Sequence, residues 1–177
     1  MKLRAVLIAW VVGMLCAPPS DARPVALIPA RVVNVFTLDG SHVVLLRTGN
    51  EKLIPIWIGR NEAIAISLRL ARRSPPRPLT HNLLESLLKE LNATIVKVVI
   101  EDVRRNVYLG RIYLKQGRRS FSIDARPSDS ITLAVGANAP IFIARSVVVK
   151  AGIEPKELKS RGKKPKSQKK VTTGETI

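Results

Sequence analysis

The chain has 177 residues, a formal net charge of +17 and 46% hydrophobic residues, yet only three Phe, two Trp and two Tyr. That length fits one ordinary domain with an aliphatic core, and the single cysteine excludes a disulfide framework and Cys-ligated zinc or iron–sulfur chemistry. Most of the basic excess falls within residues 25–153 and not in a tail, so the domain itself suits polyanionic partners such as nucleic acid or anionic lipid head groups, or else is simply highly soluble.

Lys2 and Arg4 precede an apolar run from Ala5 to Leu15, shorter than the roughly 20 residues of a membrane span. Small residues follow at Ser20 and Ala22. This pattern predicts a secretory signal over residues 1–22, cleaved near Ala22, and hence a secreted or periplasmic mature protein with no stable membrane span. The alternatives are an uncleaved N-terminal membrane anchor and lipidation of Cys16, although Leu15 stands where a lipidation site has a small residue.

Val32 to Leu38 reads as a strand, Asp39-Gly40-Ser41 as a turn, and Val43 to Arg47 and Lys52 to Ile58 as two further strands. Pro55 lacks an N–H, which puts the last of these at a sheet edge or at a bulge. After Gly59, Asn61-Glu62 opens a helix with Ile64, Leu68 and Ala71 on one face and Ala65 beside it. A Pro- and Arg-rich loop runs from Arg72 to Pro78. Thr80 is placed to cap a helix from His81 to Leu91, whose stripe is Leu84, Leu87, Leu88 and Leu91.

Thr94 to Val103, Val107 to Lys115 and Ser120 to Ile123 read as an antiparallel meander. Ser128 then caps a helix to about Ala137, and Pro140 breaks it. A short strand, Ile141 to Ile143, and a small helix, Ser146 to Ala151, close the domain at about residue 153. Residues 154–177 are Lys-rich and lose apolar content, the pattern of a disordered tail. Strands in runs with interspersed helices predict an α+β fold: a mixed, largely antiparallel sheet packed with three to four short helices.

Three polar clusters sit at predicted element junctions: Gly59 to Glu62, Arg77 to His81, and Asp124 to Asp129. If the helix starts converge, Glu62, His81, Asp124 and Asp129 come together with Arg77 and Arg126 nearby. Such oxygen and imidazole groups suit Mg²⁺ or Mn²⁺, with arginines to clamp a phosphate. Each residue also has a plainer reading. Glu62 and Asp129, the latter at the first helical position, complement helix dipoles. Thr80 and Ser128 are caps. Asp124 and Arg126 form a local ion pair. His81 is a surface or packing residue.

In order, Leu53-Ile54-Pro55-Ile56-Trp57-Ile58-Gly59, Glu62-Ala63-Ile64-Ala65-Ile66, Arg77-Pro78-Leu79-Thr80-His81, Ile123 to Ser130 and Ala139-Pro140-Ile141-Phe142 together resemble the bifunctional nuclease domain family over about Val32 to Gly152. The resemblance implies an oligomeric α+β domain with nuclease activity on RNA and DNA. Glu62, Thr80, His81, Asp124, Arg126, Ser128 and Asp129 match its motif residues. Two positions depart from the family pattern: Asn82 follows the Thr-His pair in place of an acidic residue, and Ser130 follows Ser-Asp in place of alanine.

The resulting expectation is a metal-assisted nuclease. His81 acts as acid or base; Asp124, Asp129 and Glu62 bind Mg²⁺ or Mn²⁺ or activate water; Arg77, Arg126, Thr80 and Ser128 hold substrate. The alternative is a non-catalytic anion- or partner-binding module of the bacterial cell envelope.

Overall fold

The computed structural model describes residues 26–157. The signal segment expected over 1–22, with Cys16, lies outside the described residues, as does most of the tail expected over 154–177.

Strands β1 (Leu27–Leu38), β2 (Ser41–Thr48) and β3 (Leu53–Ile58) form an antiparallel meander. Helices α1 (Arg60–Leu70) and α2 (Thr80–Glu90) follow. A second meander comprises β4 (Ala93–Arg104), β5 (Val107–Gln116) and β6 (Arg119–Ala125). Helix α3 (Pro127–Ala137), strand β7 (Ile141–Ala144) and helix α4 (Arg145–Ala151) complete the domain. The two meanders join into one seven-stranded sheet in the order β3-β2-β1-β7-β4-β5-β6. Only β7 against β4 is parallel, so the sheet is mixed and largely antiparallel, and the fold is α+β as the pattern predicts. A parallel neighbour needs a crossover, and β6 followed by α3 supplies it.

Two of the hairpin turns, β1–β2 and β4–β5, have two central residues in the left-handed region, Asp39-Gly40 with φ of 48° and 78° and Arg105-Asn106 with φ of 48° and 65°. That is the turn whose twist matches paired strands. Pro55 lies in edge strand β3, where a missing N–H breaks no central ladder. Its carbonyl accepts from the Tyr108 hydroxyl of β5 at 3.0 Å. Strands β3 and β5 stand far apart in the order, so the sheet curls until the two approach. Inside the curl lies an aliphatic core that includes Leu46, Ile54, Ile66, Ile100, Ile131 and Ile143, each almost wholly out of water. Burial of each such side chain contributes about 1.5–3 kcal/mol.

Four local expectations are corrected. Helix α1 buries Ala63, Ala65 and Ile66, while Ile64 is exposed. Its sequence is apolar over much of its circumference, so the neighbouring α3 decides which side packs. On α2 the leucine stripe does not pack as a face: Leu88 meets the core, whereas Leu84, Leu87 and Leu91 are exposed. Helix α2 begins at Thr80 itself, with Leu79 as its extended N-cap; the capping bond comes from Asn82, whose Oδ1 accepts from the Leu79 N–H at 3.0 Å. Helix α3 begins at Pro127 with Arg126 as N-cap, which moves Ser128 to the second and Asp129 to the third helical position. Proline is favoured at a first helical position because its missing N–H is unsatisfied there anyway.

Candidate acid–base and phosphate site

The starts of α1, α2 and α3 meet. Glu62 is the third residue of α1, His81 the second of α2 and Asp129 the third of α3. Both carboxylates lie in first helical turns, where unpaired backbone N–H groups favour negative charge. Arg126 joins them. Its Nε donates to Asp129 Oδ2 at 2.7 Å, and its Nη2 donates to Asp129 Oδ1 at 3.0 Å and to Glu62 Oε1 at 2.9 Å. Its Nη1 takes part in none of these bonds. His81 Nε2 is 3.0 Å from Asp129 Oδ1. The four side chains form one chain of contacts: Glu62, Arg126, Asp129, His81.

Burial pushes the Asp129 carboxyl up, but hydrogen bonds from Arg126 and His81 outweigh it and hold the carboxyl below its ordinary range. Asp129 is therefore ionised near neutral pH and can only accept. The proton between it and His81 must then sit on Nε2, which leaves Nδ1 with a lone pair in the neutral ring. The hydrogen bonds from Arg126 to Asp129 raise the guanidinium's already high pKa. The His81 side chain is 14% exposed and that of Arg126 67%, so the imidazole is held while the guanidinium faces water.

Two close approaches shape the site. A Cβ at Gly59 would lie 2.3 Å from a Glu62 carboxylate oxygen, so the Glu62 side chain folds back over the space that glycine leaves. A Cβ at Gly110 of β5 would lie 2.8 Å from the Ala125 carbonyl and 3.3 Å from Pro127 Cα, so glycine lets the start of α3 sit on β5. Ser130, fully buried, donates from its hydroxyl to the Arg126 carbonyl at 3.1 Å and fixes that same turn.

The remaining expected site residues lie elsewhere. Asp124 pairs in register with Arg111, while its neighbour Ala125 pairs with Gly110. Because side chains alternate across a strand, Asp124 is on the sheet face opposite to the one that carries the start of α3. The expected Asp124–Arg126 ion pair is absent; Arg126 pairs with Asp129 and Glu62 instead. Thr80 is exposed beside His81, and Arg77 is exposed and in no ion pair among the described residues. Ser128 is buried, its carbonyl accepting from the Thr132 hydroxyl at 2.6 Å.

The expected metal ligands do not form a ligand set. Arg126 engages both carboxylate oxygens of Asp129 and Oε1 of Glu62, and Asp124 is on the other face. Among the described residues no group of three or more His, Cys, Asp or Glu side chains is placed to hold an ion. Sequence reading missed Asn82, Ser130 and Gly59 as supports. One available signal was the three-residue spacing of Arg126 and Asp129, which makes them neighbours on a helix surface.

The curled sheet and converging helix starts place an imidazole–carboxylate pair beside a water-facing arginine. The chain belongs to the bifunctional nuclease domain family, whose sequence pattern matches residues 43–156. It is similar to an uncharacterized protein of Mycobacterium tuberculosis, 37% identical over 112 residues, which cover 63% of this chain and 66% of that protein. It is also similar to bifunctional nuclease 1 of Oryza sativa subsp. indica, 25% identical over 129 residues, covering 70% of this chain and 39% of the rice protein. Bifunctional nuclease 2 of Oryza sativa subsp. japonica is 26% identical over 118 residues, covering 65% and 36%. The chain thus spans just under two thirds of the mycobacterial relative and well under half of the rice proteins.

Proposed function

We propose that this protein is a nuclease that hydrolyses phosphodiester bonds in RNA and DNA. Family membership supports the reaction class, and the observation that carries the site assignment is the His81–Asp129–Arg126–Glu62 chain at the helix starts. In this reading Asp129 orients the His81 ring, and Nδ1 takes the proton from an attacking water as its oxygen bonds to phosphorus. The leaving oxygen departs with the electron pair of the broken P–O bond, and the proton taken up by Nδ1 is returned to it to complete its hydroxyl. Arg126, held by Glu62, offers Nη1 to a phosphate oxygen, and exposed Thr80 and Arg77 supply further substrate contacts. In this reading Glu62 and Asp129 position Arg126 rather than an ion, and Asp124 is on the other sheet face.

Purified protein is incubated with labelled RNA and DNA in EDTA, in Mg²⁺ and in Mn²⁺, with His81→Asn protein prepared in parallel to reveal any host nuclease. Cleavage by the native protein alone supports the reading, and the EDTA arm decides the metal question. Intact substrates in all three conditions sink it; salt-dependent binding without cleavage then favours the anion-binding module.

Export by the N-terminal segment is part of the proposal, as is a homo-oligomer. Exposed Leu84, Leu87 and Leu91 of α2 are a surface that would suit association of copies. Among the described residues no helix is long and apolar enough to cross a membrane.

A further inference from the structure

Trp57 has no part in the proton transfer, yet its position is unusual. It lies on edge strand β3 and points away from the face that buries Ile54 and Ile56. The residue is 60% exposed. A protein with two tryptophans in all keeps one of them in water where burial of so large a ring would favour folding.

Beside it opens a cavity of about 650 Å³, formed where the β1–β2 turn, the β4–β5 turn and the starts of α1 and α3 come together. Trp57, Arg60, Asn106, Tyr108, Arg126 and Ser128 line it. Arg126 is also the centre of the acid–base site, so the cavity and the site share a wall. Arg60 is exposed and in no ion pair among the described residues, and Nη1 of Arg126 is outside that residue's ion pairs. The volume is within the range of about 300–1,000 Å³ usual for small-ligand clefts. That is the scale of a nucleotide and not of a duplex.

We propose that this cavity receives an unpaired nucleotide of a single-stranded nucleic acid, with its base stacked on the Trp57 indole and its phosphate held by Arg60 and Arg126. The inference rests on the nuclease reading for the kind of ligand and deepens it by naming the substrate class as single strands. An indole face accepts any base, because every base has a π face. A base inside a duplex has both faces covered by its neighbours and must unstack before it can reach the indole. Guanidinium groups match phosphate oxygens in a planar fork. A second copy of the chain is the competing occupant of an exposed tryptophan. The two arginines, Asn106 and Ser128 in the cavity wall suit an anion better than an apolar partner.

The test uses the full chain with Trp10→Phe, which leaves Trp57 as its one tryptophan. A single-stranded oligodeoxythymidylate with cleavage-resistant phosphorothioate linkages is titrated in, and both Trp57 emission and the anisotropy of a label on the strand are followed. The expected result is saturable quenching that tracks binding, with a duplex of equal length binding more weakly and quenching little. In the otherwise native chain, Trp57→Ala weakens single-strand binding about tenfold at unchanged melting temperature, and Trp57→Phe restores most of it.

Binding without quenching overturns the proposal, as does Trp57→Ala protein that binds like the native chain. A Trp57→Ala change that converts a dimer to a monomer in sedimentation with strand affinity intact also overturns it, and assigns the ring to an interface between copies. Quenching by the strand in a protein that cleaves nothing leaves this inference standing and removes the nuclease reading. Normal cleavage with no effect of Trp57 does the reverse.

Discussion

Two ion-pair networks decorate this domain, and they differ in what they connect. One is the chain Glu62, Arg126, Asp129 and His81, which ties together the starts of three helices. The other consists of two separate clusters on adjacent residues of β4, one reaching β5 and one reaching α4. There Arg111 donates to both carboxylate oxygens of Glu101 at 2.9 Å, the Tyr113 hydroxyl donates to Glu101 at 3.2 Å, and Asp102 accepts from Arg104 and Lys150. Both perturb their groups: hydrogen bonds from Lys150 and Arg104 hold the Asp102 carboxyl well below the ordinary range, and Glu101 raises Arg111. A perturbed pKa therefore does not separate a reactive site from a strand clasp in this molecule. Position does. The first network shares Arg126 with the Trp57 cavity and contains an imidazole whose Nδ1 is outside the Asp129 bond, whereas the second contains no imidazole.

The largest expected effect falls on the first network. His81→Asn removes the group proposed to transfer the proton and should lower RNA and DNA cleavage by about 10²–10⁴-fold, with little change in melting temperature. Arg126→Met comes next. It removes the guanidinium proposed to hold phosphate and the link between the two carboxylates, and should reduce cleavage by roughly 10²–10³-fold. Arg126→Lys should recover only a small part, because a single ammonium cannot reproduce the two-nitrogen contact with Asp129.

Asp129→Asn should cost about 2 kcal/mol of stability, as loss of charge-assisted hydrogen bonds does. It should also change the acid limb of the stability curve. The folded pKa of Asp129 is depressed, so its contribution is complete above the unfolded value near 3.9 and is lost as pH falls through the lower folded value. Melting temperatures of native and Asp129→Asn protein should therefore converge as pH drops below about 4; curves that stay parallel to the lowest accessible pH would contradict the assignment. The smallest effect belongs to the second network. Glu101→Gln should leave cleavage unchanged and lower stability by about 0–1 kcal/mol, as for a partly exposed ion pair.

Much of the fold was legible because its signals are local. Strand alternation, the Asp39-Gly40 turn, the edge position implied by Pro55, and the end of α3 at Ala137 all follow from nearby residues. The insertion of β7 between β1 and β4 was not legible, since it depends on pairings between distant segments. At the site, the convergence of Glu62, His81 and Asp129 could be anticipated from their place at helix starts. Asp124 could not be removed from that group until its strand register was known: two residues from Arg126 in sequence, it is on the other face of the sheet. The caps failed for a related reason. Thr80 and Ser128 are good capping residues, but Asn82 and Pro127 supplied competing starts, and only the backbone decides between them. The exposed leucines of α2 carry a core-like stripe that nothing in the described chain covers completely.

The most direct test compares the two networks in one assay. Native, His81→Asn and Glu101→Gln proteins are given the same labelled RNA and the same labelled DNA, and initial cleavage rates are measured alongside melting temperatures. The account predicts that His81→Asn loses nearly all cleavage while remaining folded, and that Glu101→Gln cleaves at the native rate. Native-rate cleavage by His81→Asn, or an equal loss in both variants, would contradict it.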